Sequence, residues 1–201
     1  MDTSKIASDF IEEIEFYFDF CCEGNFRVEA LKEGKNPETL FRDNLTCFLR
    51  LNYGTIKNEQ RVEVAKLKVD PKQHTDTWKY DIIAKLNKEA KLYALVELKY
   101  DEIEDPNNPV SNKHIQDLYG RDVFKLESIK KRIPSLVCVG VFLTNNPFHY
   151  NNLLQLSSKE YEVDYNDTKE MVKIQKDYQI TWKSVSLFDD ESNYKYCVVI
   201  V

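Results

Sequence analysis

The sequence predicts an α/β fold with a mixed central β-sheet flanked by helices. Three observations predict it: segments with apolar residues at helical spacing, segments that alternate polar and apolar residues, and one continuously apolar segment between them. Of the 201 residues, 42% are hydrophobic and 12% aromatic, which is enough for a sizeable packed core.

Three long helices are predicted, over residues 4–22, 37–52 and 112–132. Each repeats apolar residues every three to four positions, as an amphipathic helix does. Asn36 and Pro37 are typical of a helix start, and Pro134 ends the third helix. A shorter helix is expected near residues 148–157.

Strands are predicted from period-two alternation and from continuous apolar runs. The apolar run at Leu136–Leu143 is typical of a central strand covered on both faces. Residues 161–172 are polar and show no clear pattern. The predicted strands cover residues 61–69, 80–86, 92–100, 136–143, 178–187 and 194–201.

These elements divide the chain into three parts. We expect an N-terminal helical appendage over residues 1–34 and an α/β core over residues 35–146. Residues 147–201 are expected to form a C-terminal β extension that packs on the core.

The sequence gives no support to several classes of protein. No apolar run approaches the roughly 20 residues that span a bilayer, and the acidic N-terminus is unlike a signal peptide, so we expect a cytoplasmic protein. The cysteines lack CxxC spacing. No GxxxxGK[ST] loop, GxGxxG turn or GxSxG elbow is present, which leaves nucleotide-triphosphate and serine-hydrolase chemistry without support.

Charge is a weaker guide. The net charge is −6, whereas dedicated nucleic-acid binders tend to be basic. Two groups of basic residues stand out, one between Lys66 and Lys79 and one comprising Lys125, Lys130, Lys131 and Arg132. For each group a solvated face and a binding surface are equally good interpretations.

The hairpin of residues 80–100 brings acids together. If its turn centres on Glu89, residues pair when their numbers sum to 178, so Asp81 faces Glu97 with Cβ atoms about 4.5–5.5 Å apart. Lys99 shares that side of the sheet. A register shift of one residue would move Asp81 to the other face.

Two opposed carboxylates repel each other unless a cation lies between them. Mg²⁺ takes one or two carboxylates and keeps several waters, and it activates a water and stabilises phosphoryl charge. A neighbouring lysine orients that water or neutralises the phosphate. The alternative is a strand whose outer face carries a solvated Glu and Lys, and spacing alone favours that alternative.

Asp81 and Glu97-Leu98-Lys99, preceded by the apolar Ala94-Leu95-Val96, resemble the PD-(D/E)XK signature of restriction-endonuclease-like nucleases. The order of predicted elements matches over residues 37–145, about half of the chain, although Tyr80 stands where that family has Pro. The resemblance implies a restriction-endonuclease-like core. It also implies Mg²⁺-dependent hydrolysis of DNA, with Mn²⁺ as a substitute: Asp81 and Glu97 bind the metal and Lys99 assists catalysis.

The same resemblance suggests supporting residues. An acid on the helix of residues 37–52 helps to hold metal, and we prefer Asp43 to Glu38 because it is nearer the helix midpoint. Glu38 otherwise complements the helix dipole. Glu63 on the first strand could reach the same cleft or be merely exposed.

The helix of residues 112–132 is expected to contact substrate. Gln116 is the residue that matches such a role, with Lys113 and Arg121 nearby. A solvated helix face remains the better account of Lys113 and Arg121.

The expected partner is therefore nucleic acid, with DNA preferred, in restriction, defence or repair. A homodimer suits a double-strand cutter, but by analogy only. The alternatives are a nuclease-fold module that binds nucleic acid or protein without cutting, and an interaction protein that docks through the acidic helix of residues 4–22.

Overall fold

A computed structural model describes residues 3–22, 37–53, 56–61, 79–87, 92–101, 112–165, 168–185 and 194–201. The helices there are α1 (Thr3–Cys22), α2 (Pro37–Leu49), α3 (Asn112–Arg132) and α4 (Pro147–Asn152). The strands are β1 (Ile56–Arg61), β2 (Lys79–Asn87), β3 (Leu92–Asp101), β4 (Val137–Thr144), β5 (Gln155–Leu156), β6 (Glu160–Tyr165), β7 (Thr168–Lys173), β8 (Tyr178–Gln179), β9 (Lys183–Val185) and β10 (Tyr194–Ile200).

The main sheet has six strands in the order β1-β2-β3-β4-β10-β9. Strands β3 and β4 are parallel and joined through α3, and the other neighbours are antiparallel. Every residue of β4 is buried, as its continuous apolar sequence predicts. The predicted mixed α/β class is thus confirmed.

Helices cover both faces of this sheet. Leu92, Ala94, Val96 and Leu98 of β3 belong to the core that α1 and α2 form on one face. Leu95, between them, belongs to the core that α3 forms on the other face. The side chains of a strand alternate in direction, so the α3 face of the sheet also receives Glu97 and Lys99.

The structure differs from the expected division of the chain at both ends. Helix α1 is part of the core, because its apolar stripe is buried and Phe18 stacks on Tyr196 of β10 with ring centroids 3.8 Å apart. Strand β10 is hydrogen-bonded between β4 and β9 and completes the sheet instead of packing on it. Backbone groups of β4 that face away from β3 need this partner.

Several element boundaries also differ. The first strand is Ile56–Arg61, and residues 62–69 of the strand predicted there lie outside the described residues. In place of one strand over 178–187, β8 pairs with β5 and β9 pairs with β10. The patternless residues 161–172 fall in a separate hairpin, β6 with β7.

That hairpin docks on α3 at a glycine. A Cβ atom on Gly120 would overlap the Tyr161 ring of β6, so only glycine allows this contact. Glycine inside a helix costs about 1 kcal/mol relative to alanine, and the buried Tyr161 offsets that cost. The contact helps to set which face α3 presents to the sheet.

Among the helices of the described residues, none combines the length and the apolar character needed to cross a bilayer.

Candidate functional site

The β2–β3 hairpin has the register that the sequence predicts. Ile82 pairs with Val96, and the pairs continue to Lys85 and Tyr93, the two residue numbers of each pair adding to 178 as expected. A bulge follows between Lys85 and Asn87. The pairing of β2 with β3 ends at Ile82 and Val96. The expected pair of Asp81 with Glu97 would be the next one, and it is not part of the hydrogen-bonded ladder.

Asp81 lies one residue beyond the last pair between β2 and β3. Its Oδ2 accepts a hydrogen bond from the Leu98 backbone N–H at 2.8 Å, in place of a ladder bond. Tyr80 belongs to the core on the α3 face, whereas Ile82 belongs to the opposite core, so the alternation of faces is interrupted at Asp81. The carboxylate is therefore fixed against the backbone of the strand that carries Glu97 and Lys99.

Glu97 is buried, with 4% of its surface exposed, and is paired with a lysine of α3. Lys125 Nζ donates to Glu97 Oε1 at 2.6 Å and lies 4.7 Å from the centre of the Tyr80 ring. Burial raises the pKa of Glu97 well above its usual value; Lys125 opposes that rise, while Asp122 and Asp81 add to it.

Lys99 is held by an acid of α2. Its Nζ donates to Glu38 Oε2 at 3.3 Å, and the same oxygen accepts the Tyr100 backbone N–H at 3.2 Å. Burial by itself would lower the pKa of Lys99, but Asp122 and Glu38 outweigh it and the pKa is raised. Lys99 is therefore a protonated ammonium at neutral pH.

Asp122 is the second buried acid on the α3 face of the sheet near β3. Its Oδ1 lies 3.7 Å from Arg121 Nε. Burial raises the pKa of Asp122, while Lys99, Lys125 and Arg121 oppose the rise. Burial likewise raises the pKa of Asp81; the Leu98 N–H and Lys125 oppose this rise.

The charge of Glu38, of Lys125 or of both contributes to the pKa shift of each of Asp81, Glu97, Lys99 and Asp122, and we call these six side chains the acid–lysine cluster. Its members are Glu38, Asp81, Glu97, Lys99, Asp122 and Lys125. Four carboxylates face two ammonium groups, so the cluster has a formal charge of −2 when all are ionised, with the half-exposed Arg121 beside it.

Sequence reasoning missed Asp122 and Lys125. A signal was available, because residues three apart lie on one helix face and Asp122 falls inside the stripe of Tyr119, Val123 and Leu126. Lys125 was grouped with the basic residues that follow it. The structure corrects the solvated-face interpretation of Lys125, whose side chain is only 16% exposed.

The other predicted site residues are placed differently. Asp43 is half exposed, its Oδ1 lies 3.4 Å from Arg42 Nε, and it is about 140° around the helix axis from Glu38. The structure thus brings Glu38, not Asp43, against β3. The side chains of Lys113 and Gln116 lie outside the described part of the chain, as does Glu63.

A second polar pair adjoins the cluster on the same face of β3. Asp101, two residues beyond Lys99, has its Oδ2 3.2 Å from Nδ1 of the buried His149 of α4. Tyr119 of α3 meets the His149 ring edge-on. This pair ties α4 to the end of β3.

The donor chemistry of the cluster fits a hard divalent cation. Carboxylate oxygens are ligands of Mg²⁺. A nearby cation stabilises the charged form of a buried acid whose pKa burial has raised. Within the described residues, no group of three or more acidic, histidine or cysteine side chains has metal-ligand spacing. A Mg²⁺ ion can take as few as one or two carboxylates and keep its other ligands as water, so this finding concerns larger ligand sets only.

Comparisons of the chain with protein-family models, curated proteins and solved structures found no match. Any assignment of function therefore depends on the geometry and charge of the cluster.

Proposed function

We propose that this protein is a Mg²⁺-dependent nuclease that hydrolyses phosphodiester bonds of DNA, on a restriction-endonuclease-like core. One observation carries the proposal: where the β2–β3 pairing ends, Asp81, Glu97, Lys99 and Glu38 lie together in a partly buried cluster. The order α2, three antiparallel strands, α3 and a parallel strand is also what the family resemblance implies.

Charge supports the need for a metal. A phosphodiester is an anion, and the fully ionised cluster, with four carboxylates and two lysines, would repel it. A divalent cation bound by Asp81 and Glu97 would neutralise this excess. Mn²⁺ should serve in place of Mg²⁺ because it accepts the same oxygen ligands.

Each residue then has a role. Asp81 and Glu97 hold the cation, which when bound makes a water more acidic and stabilises charge on the phosphoryl group. Lys99 keeps its proton, so it donates a hydrogen bond to the attacking water or to a phosphate oxygen. Glu38 positions Lys99 and does not itself need to contact substrate.

A binding module without catalysis is the second candidate. The observation that favours it is the ion pair between Lys125 and Glu97, because an ammonium already lies where a metal would bind. Such a module would bind nucleic acid or a protein partner and would show no metal-dependent chemistry.

Cleavage assays separate the two candidates. Supercoiled plasmid and single-stranded DNA are incubated with Mg²⁺, Mn²⁺ or EDTA and the wild type, Lys99→Ala, or Lys173→Ala. Lys173 is an exposed lysine of β7 and controls for loss of a positive charge. We expect metal-dependent nicking by the wild type and the control, reduced about 100-fold or more in Lys99→Ala.

Failure takes two forms. If the wild type cuts neither DNA with either metal, the binding module becomes the better account. If Lys99→Ala cuts as fast as the wild type, the catalytic site lies elsewhere.

A further inference from the structure

We infer that Lys125 is a built-in counter-cation, which competes with a divalent cation for the carboxylate of Glu97. The inference rests on the proposed function, because it assumes that Glu97 is a metal ligand. It assigns a regulatory contact to a residue outside the nuclease signature.

The contact is close and sheltered. Lys125 Nζ lies 2.6 Å from Glu97 Oε1, and both side chains are largely buried, with 16% and 6% exposed. A charge-assisted hydrogen bond of this length in a region of low dielectric is strong. An ammonium at this oxygen weakens the binding of a metal ion to the same carboxylate, because the two positive charges would lie only a few ångströms apart.

Other groups can interact with the Lys125 ammonium when it leaves Glu97. The face of the Tyr80 ring already lies 4.7 Å from its Nζ and offers a cation–π contact. Asp122, one helical turn earlier on α3, attracts the same ammonium. Displacement therefore leaves the charge partnered, which makes the exchange reversible.

The two lysines of the cluster have separate tasks. Lys99 is bound to Glu38 on α2, away from Glu97, and is free to keep that contact when a metal binds. Lys125 is bound to the acid that the metal requires. We expect the exchange to set the concentration of metal at which the site fills.

Direct measurement of metal binding tests the exchange. Isothermal titration of Mn²⁺ into the metal-free wild type, Lys125→Gln and Lys173→Gln compares the loss of a cluster lysine with the loss of an exposed one. We expect Kd to fall about tenfold in Lys125→Gln and to stay within about twofold of wild type in Lys173→Gln. Equal or weaker binding by a folded Lys125→Gln protein overturns the inference.

A second measurement needs no substitution. Acylation of lysines in the wild type is followed by mass spectrometry with and without saturating Mg²⁺, with the exposed Lys173 as the reference. We expect Lys125 to react several-fold faster once metal is bound, because the hydrogen bond to Glu97 Oε1 that shields its nitrogen is then broken. An unchanged or slower reaction overturns the inference, even if Lys125→Gln fails to fold.

The outcomes separate the inference from the proposed function. If neither the wild type nor Lys125→Gln binds Mn²⁺, both fall. If the wild type binds Mn²⁺ and cuts DNA while Lys125→Gln binds no better, the function stands and the inference falls. If only Lys125→Gln binds Mn²⁺, the inference is supported and the wild type is a binding module.

Discussion

Two glutamates are buried, one on α3 and one on β3, and their hydrogen-bond partners differ in charge. Glu127 of α3 accepts three hydrogen bonds from neutral donors: the backbone N–H groups of Gln175 at 2.7 Å and Lys176 at 3.2 Å, and the Tyr178 hydroxyl at 2.8 Å. Glu97 of β3 is paired with one lysine and lies near other acids.

On the proposed function, the difference separates a structural acid, Glu127, from a metal ligand, Glu97. Burial raises the pKa of Tyr178 and the contact with Glu127 raises it further, so the hydroxyl remains a donor that anchors the chain after β7 to α3. In the acid–lysine cluster, by contrast, burial and neighbouring acids disfavour the charge of Glu97. Carboxyl groups with perturbed pKa values cluster at functional sites, which is why Glu97 is the proposed metal ligand.

The largest expected effect is on catalysis. Glu97→Gln should reduce Mg²⁺-dependent DNA cleavage about 100-fold or more, because a metal ligand is lost, whereas Glu127→Gln should keep the rate per folded molecule. Initial rates at saturating metal, normalised to the folded fraction by circular dichroism, measure this. Equal losses in the two variants would erase the proposed distinction.

The same two variants should rank in the reverse order in stability, with Glu127→Gln the more destabilised. Glu127→Gln replaces an acceptor by an amide that cannot satisfy all three donors, and should lower the free energy of unfolding by about 1–3 kcal/mol. Urea unfolding in EDTA measures it. A Glu127→Gln protein as stable as the wild type would show that this glutamate is not an anchor.

The two acids of α2 offer a narrower comparison. Glu38→Gln should slow cleavage about tenfold, since Lys99 loses its charged partner, while Asp43→Asn should change the rate less than about twofold. Rates measured under identical metal concentrations decide between them. A larger loss in Asp43→Asn would favour the residue preferred on sequence grounds.

The smallest effect concerns pH. Burial raises the pKa values of Asp81, Glu97 and Asp122, so the folded state binds these protons more tightly than the unfolded state. In EDTA, their contribution to stability should therefore decline as the pH rises above the ordinary carboxyl values of 3.8 and 4.5.

Urea unfolding at about pH 5 and about pH 8 tests this sign. The loss of stability between the two pH values should be smaller in Asp122→Asn than in the wild type, because one of the three groups no longer titrates. An equal or greater loss in Asp122→Asn would contradict the account.

Local pattern predicted much of this molecule. Turn length sets hairpin register, and so the pairing of β2 with β3 followed from the position of Glu89. Helical spacing likewise predicted α3 to the residue at both ends. The gathering of Asp81 and Lys99 near Glu97 depends mainly on this local geometry.

Long-range packing was harder to predict. The insertion of β10 beside β4 and the burial of α1 join residues far apart in sequence, and no local period specifies them. The choice between Glu38 and Asp43 depends on how α2 is rotated about its axis, which its docking on the sheet decides. Distance from the helix midpoint carries no information about that rotation.

Anomalous scattering from crystals soaked with Mn²⁺ locates a bound metal without an activity assay. We expect a peak bounded by the carboxylates of Asp81 and Glu97, with Lys125 Nζ withdrawn from Glu97 Oε1. Saturating Mn²⁺ that leaves the Lys125–Glu97 pair intact and gives no peak there would contradict the proposed metal site.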